Sequence, residues 1–383
     1  MNKTSTAAAV LVVGTLALAG CTDNTTEASA DGAISVVSTD DACNVSTDTT
    51  AGGTIKFDVK NEGSAVTEFY LLAEDGLRIV GEVENIGPGV TRDLVVMAPQ
   101  GKYFTACKPG MVGDGIRAAF TVNESTDGQE VSADRAALQK NATDQYAAYV
   151  KDQTEQLVRG TEKFADAFAS GDEELAKSLY ASTRMHWERI EPVAESFGDL
   201  DPILDAREAD LEDGEDFTGW HRAEKDLWAP KGYTKMTESE REKIATKMVE
   251  DTKELYTRTQ SLEFTPDQLA NGAKELLDEV ATGKVTGEEE TFSHTDLWDF
   301  QANLEGAKIA YEDLQPLLVG TDDALDEELK TNFAALQKQL DAYRDGDGFK
   351  YYQDLSDAQI KELASGVDAL SEPLSKLTAA VVK

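Results

Sequence analysis

Histidine occurs three times in 383 residues, each time beside carboxylates. The settings are Arg184-Met185-His186-Trp187-Glu188, Gly219-Trp220-His221-Arg222-Ala223-Glu224 and Ser293-His294-Thr295-Asp296-Leu297-Trp298-Asp299. Imidazole is the commonest metal-ligating side chain and the one that changes charge near neutral pH. The pattern raises the question of whether the three histidines converge on one cation.

His221 and Glu224 stand at i, i+3, so on a helix both lie on one face, within reach of one ion. A lone His-x-x-Glu also occurs as a plain surface pair. Here Trp220, Leu227 and Trp228 supply an apolar face that would turn the pair inward, and Asp205 precedes it in Leu200 to Glu208. Glu188, Glu191 and Glu195 follow one another at spacings of three and four, and Pro192 should kink or break that helix. Inward Glu and His from several helices are how bundles build metal sites, although the same spacing describes a solvated acidic face. His294 offers a third position with Asp296 and Asp299, or lies in a helix-capping region with Ser293 or Thr295 as the cap. Imidazole with several carboxylates suits iron, manganese or zinc; the absence of clustered cysteine here argues against structural zinc and soft metals. No HExxH, GxSxG, phosphate-binding loop or dinucleotide fingerprint occurs.

Two different periodicities must position these residues. Over 33–122, short β-prone runs such as Thr54 to Lys60 alternate with Gly/Pro turns, which predicts an antiparallel β-sandwich. A polar stretch, 123–139, reads as a linker. From 140 to 383 the apolar residues recur at helical spacing, and an all-α bundle of long amphipathic helices is expected. In front of both, 1–20 reads as a signal peptide with an apolar run from Ala7 to Leu18, too short for a stable membrane anchor. It ends Leu18-Ala19-Gly20-Cys21, a lipobox pattern in which the Cys21 thiol receives a lipid, and 21–32 has tether composition. The expectation is an exported chain, lipid-anchored to the outer face of the cytoplasmic membrane. Asp and Glu number 73 against 36 Lys and Arg, a formal charge of −37. Such a surface repels nucleic acid and draws in cations, and it also serves solubility.

The chain resembles the EfeO family of iron-uptake components over nearly its whole mature length. The resemblance rests on Glu188-Arg189-Ile190-Glu191-Pro192-Val193-Ala194-Glu195, on Asp205-Ala206-Arg207-Glu208, on Gly219-x-His221-x-x-Glu224 and on Phe292 to Asn303. It implies a cupredoxin-like β-sandwich followed by an imelysin-like (peptidase M75) helical domain that binds iron, with a membrane iron permease and a secreted haem peroxidase as partners. It also implies a metal group in the β-domain made of Cys43, Glu68, Glu84 and Cys107, for copper or a second iron. That domain has no histidine, so an ordinary blue-copper centre, with two imidazoles and a thiolate, is not expected. Cys43 and Cys107 form either ligands or, as an exported pair often does, a disulfide. Many relatives are soluble with a cleaved signal, whereas the lipobox here favours capture beside the permease.

The resulting expectation is an iron-binding lipoprotein outside the cytoplasm that delivers its cargo to a permease. His221 and Glu224 lead its ligand set, with Glu188, Glu191, Asp205 and His294 as further candidates. It is read as a binding component rather than an enzyme. Two alternatives stay open, a metallopeptidase of the M75 type and a cuproprotein in electron transfer or metal scavenging.

Overall fold

The computed structural model describes residues 33–381 apart from 77–78, 112, 114, 125–134, 212–213 and 215. Cys21 and the stretches 1–20 and 21–32 read above as a signal peptide and a tether lie outside the described residues, as do the side chains of Glu84 and Glu195.

Among the described residues the first domain is built from β1 (Ile34–Ser38), β2 (Cys43–Val45), β3 (Thr49–Ala51), β4 (Gly53–Asn61), β5 (Thr67–Ala73), β6 (Ile79–Ile86), β7 (Thr91–Ala98), β8 (Gly101–Cys107) and β9 (Ile116–Asn123). They form two sheets, ordered β2-β1-β4-β7 and β3-β9-β8-β5-β6. Most pairs are antiparallel, as the alternating pattern suggested, but β1 runs parallel to β4 and β3 parallel to β9. The reason is a sheet switch: after β2 the chain crosses to the far edge of the other sheet as β3 and returns as β4. Alternation drives burial, with Ile55, Phe57 and Val59 inside. The rings of Phe69 and Phe120 pack on Phe57 at centroid distances of 5.2 and 5.7 Å. Each such side chain contributes on the order of 2 to 3 kcal/mol by leaving water. Cys43 on β2 and Cys107 on β8 are joined as a disulfide that ties one sheet to the other.

The helical half is built from α1 (Arg135–Ser170), α2 (Glu173–Glu188), α3 (Leu200–Asp205), α4 (Gly219–Trp228), α5 (Glu238–Thr259), α6 (Pro266–Thr282), α7 (Asp296–Leu314), α8 (Asp323–Asp341), α9 (Asp357–Leu374) and the short α10 (Leu377–Val381). Thr237 with Glu240 and Thr265 with Gln268 form capping boxes that start α5 and α6, which satisfies amides that would otherwise be orphaned. Helix α1 spans about 54 Å at 1.5 Å per residue and packs against α2, α5 and α7. Helix α2 stops at Glu188, and the chain continues as a 3-10 stretch, Glu191–Phe197, through Pro192. Gly272 on α6 lets that stretch approach, since a Cβ there would lie 1.7 Å from the Pro192 carbonyl oxygen.

The two domains touch through α1. Tyr70, Leu72, Ile79 and Ala106 bury against Ala148, Gln145 Nε2 donates to the Val80 carbonyl at 2.7 Å, and Lys108 pairs with Asp152.

Candidate metal centre

Helix α4 opens with Gly219 at φ +72°, where a Cβ would sit 2.1 Å from the Leu204 carbonyl oxygen. Only glycine tolerates both conditions, so the α3–α4 corner closes tightly. Thr218 Oγ1 donates to the Ile203 carbonyl at 2.8 Å and fixes the same corner. This sets Asp205, the last residue of α3, opposite His221 in the first turn of α4. The third contributor is the turn before α7, which supplies Glu289 and Glu290.

His221 is 2% exposed, and its two ring nitrogens face different carboxylates. Nδ1 lies 3.3 Å from Glu224 Oε2. The other oxygen of Glu224 accepts from the backbone amides of Phe292 and Ser293 at 2.9 and 2.7 Å, which aims the carboxylate. Nε2 has no hydrogen-bond partner and faces Glu289 Oε1 at 3.5 Å and Asp205 Oδ1 at 3.6 Å. Among the described residues two groups bring three ligand atoms together: Asp205, His221 and Glu289, and His221, Glu224 and Glu290. The helix spacing that singled out His221 and Glu224 therefore produces a buried pair. Asp205 joins it from α3.

Other sequence candidates fall outside both ligand groups. Glu188 is fully buried, but Arg184 and Lys284 take it, with Lys284 Nζ at 2.8 Å from Oε2. Glu191 is likewise held by Lys284 at 2.7 Å and accepts from Asn303 Nδ2 at 2.7 Å. His294 sits at φ +60° immediately before Thr295, the N-cap of α7, and belongs to neither ligand group. Its capping-region alternative describes its place. His186 meets Gln153 Oε1 at 2.9 Å, apart from both groups.

The β-domain set needs correcting. Cys43 and Cys107 are bonded to each other, so neither offers a thiolate. Cys107 is buried in the sandwich core, whereas Glu68 accepts from Tyr70 Oη at 2.6 Å and lines a cavity of about 230 Å3 toward α1. Glu84 lies on β6, its side chain outside the described residues. With no histidine and no free thiolate in the domain, its described residues do not fit a copper centre.

Charge organisation explains how so many carboxylates stay buried. Arg184, fully buried, pairs with Asp205 and Glu188 and reaches Glu290 at 2.6 Å and Glu289 at 3.4 Å. Burial and the Arg184 charge would strip the His221 proton, yet Glu224, Glu289 and Asp205 outweigh them and hold its pKa well above the ordinary value. Burial would raise Glu289, but Lys284 and His221 pull it far below the usual carboxylate range. Glu290 goes the other way, pushed well up by burial and by Glu224. The carboxylates therefore hold the proton on His221, with Glu224 and Glu289 shifted down and Glu290 and Asp205 shifted up, and a divalent cation binding at Nε2 would displace that proton.

A cavity of about 510 Å3 adjoins the centre, lined by Asp201, Asp205, Asp210, Glu279 and Glu289 among others. A second, of about 200 Å3, is lined by His221, Glu224 and Glu289 among others. Sequence reasoning missed Glu289 and Glu290, which stand in an irregular acidic run, and Arg184, whose i, i+4 spacing to Glu188 resembles an ordinary surface pair.

Residues 142–377 match the family described as imelysin, peptidase M75, and residues 8–122 match the cupredoxin-like domain. The iron uptake system component EfeO of Escherichia coli (strain K12) is 37% identical over 347 residues, 90% of each chain. The component of the same name from Shigella flexneri aligns to the same extent. An Efem/EfeO family lipoprotein of Staphylococcus haemolyticus (strain JCSC1435) is 42% identical over 261 residues, 67% of this chain and 89% of its own.

Proposed function

The chain belongs to the EfeO family of iron uptake components, and on that premise we propose that it binds iron outside the cytoplasm and hands it to a membrane permease. Iron is the cargo. His221 Nε2, Asp205 and Glu289 hold it, and Glu224 keeps the ring oriented through Nδ1, the usual role of a carboxylate behind a metal-bound imidazole. The observation that carries this reading is the unpartnered, buried Nε2 of His221, aimed between two carboxylates from separate chain segments. The acidic cavity beside it raises the local concentration of cations.

The relative from Staphylococcus is named a lipoprotein, and the same anchorage is proposed here through Cys21. Among the described residues no helix is long and apolar enough to cross a membrane. A lipid on Cys21 would keep the loaded protein beside the permease, and a haem peroxidase of the same system is the other proposed partner. Calorimetric titration of the purified protein with ferrous ion, under argon, tests the metal reading. Saturable binding in the wild type and its loss in His221→Ala is the expected result; equal binding by both proteins refutes it.

A further inference from the structure

Arg207 is a basic side chain at the doorway of a site proposed to take cations. Its guanidinium lines both the 510 Å3 cavity and the 200 Å3 cavity, and among the described residues it is the only Lys or Arg lining either. Seven carboxylate residues line the larger cavity, so this one cation is the exception to its chemistry. Its anchors are specific. Nε and Nη2 fork onto Asp210 at 2.7 and 3.1 Å. Nη1 is shared between Glu288 Oε1 at 3.2 Å and Glu289 Oε2 at 3.4 Å. Glu289 is the carboxylate whose other oxygen faces His221 Nε2. The side chain of Glu289 is 4% exposed and that of Arg207 23%, so the pair spans the boundary between centre and solvent.

We infer that Arg207 is a positioning residue that competes with the incoming ion for Glu289 and thereby sets how readily the centre gives up its cargo. The inference rests on the metal reading above. A tethered guanidinium on one oxygen of a ligand carboxylate withdraws charge from the other oxygen, which weakens its hold on a cation. The same guanidinium stands ready to take the carboxylate back as the ion leaves. An uptake component must release what it binds, and a carboxylate cage without such a competitor would retain iron longer. Glu288 tunes the device, because it shares Nη1 and draws Arg207 away from Glu289.

The test is stopped-flow release of ferrous ion, under argon, from the full-length protein into excess chelator, with equilibrium affinity measured alongside. Arg207→Gln should bind more tightly and release roughly two- to fivefold more slowly, the scale of a partly exposed ion pair. Glu288→Gln should release faster, because Arg207 then leans fully on Glu289. Glu208→Gln, which removes the same charge from the same mouth but pairs with Lys225, should release more slowly than Glu288→Gln. Opposite signs for Arg207→Gln and Glu288→Gln cannot arise from general loosening. Release from Arg207→Gln at or above the wild-type rate overturns the inference, as does equal acceleration in Glu208→Gln and Glu288→Gln. If Arg207→Gln fails to fold, the comparison of the two glutamate variants decides alone. A wild-type protein that retains no iron refutes the metal reading instead, before any rate is compared.

Discussion

Glu289 faces His221 with Oε1 at 3.5 Å from Nε2, while Glu224 occupies the other ring nitrogen at 3.3 Å. On the proposed metal reading the two carboxylates would have different work, one sharing the ion and the other aiming the imidazole. Glu289→Gln should weaken iron binding sharply, by 100-fold or more on the order expected for losing a charged ligand, about 3 kcal/mol. Glu224→Gln should cost about 10- to 100-fold, the usual effect of removing an orienting carboxylate. Calorimetric titration of both variants beside the wild type measures the order, and a larger loss in Glu224→Gln would reverse the two roles.

Arg184 is the fixed counter-charge of the centre, and its removal leaves Asp205, Glu188 and Glu290 buried against one another. Arg184→Met should destabilise the metal-free protein by about 3 to 5 kcal/mol, the cost of breaking a buried ion network from one side. Because a bound dication replaces part of the lost charge, added ferrous ion should raise the melting temperature of the variant more than that of the wild type. Equal metal-induced shifts would show that Arg184 and the ion do not share the same carboxylates.

The sequence made some of this plain for physical reasons. Strands β4 to β9 run for seven to nine residues, long enough to register as strands, and the period of two is plain in β4 and at the end of β9, although β5 is buried throughout. Strands β2 and β3 have three residues each and carry no period, so the sheet switch and its two parallel pairings stayed hidden. His221 and Glu224 were legible because one helix fixes their relation. Glu289 and Glu290 were not, since the turn before α7 has no repeat from which to project a side chain. His294 misled for a related reason: a positive φ, rare outside glycine, turns that residue in a way no helical pattern anticipates.

Gly219 makes a sharper test of the α3–α4 corner. A methyl group there would meet the Leu204 carbonyl oxygen at 2.1 Å in a backbone conformation unfavourable to it. Gly219→Ala should destabilise the protein by more than about 1 to 2 kcal/mol, strain and steric overlap together. It should also weaken iron binding, because His221 moves relative to Asp205. Thermal melting and titration on the same sample check both, and unchanged iron affinity would separate the corner from the centre.

The disulfide gives the β-domain a role in stability that is separable from iron. The double variant Cys43→Ala, Cys107→Ala should lose about 2 to 5 kcal/mol, as expected for opening a loop with a sequence separation of 64 residues. Its iron binding at the helical centre should be unchanged. The wild-type protein loaded with copper should show no strong visible band, since no free thiolate is available to the metal. A band in the wild type that disappears in the variant would restore the cysteines as ligands.

His186 should make the fold sensitive to acid. Burial first, and then the Arg189 charge, hold its pKa down at about 3, so the folded protein keeps the ring neutral. The unfolded chain protonates the same ring near the ordinary value of about 6.5. Between those limits the unfolded state binds more protons than the folded one, and stability falls as pH drops from about 6.5 toward 3, by up to about 1.4 kcal/mol per pH unit from this residue alone. Carboxylate titrations add to the slope in any variant, so the informative quantity is a difference. His186→Asn keeps a polar partner for Gln153 Oε1 without a titrating ring, and its stability should decline less steeply than wild type below pH 6. Urea unfolding of the metal-free proteins at pH 7, 6, 5 and 4 measures that difference. Parallel decline in the two proteins would mean that the folded state accommodates the imidazolium, contrary to the burial that surrounds it.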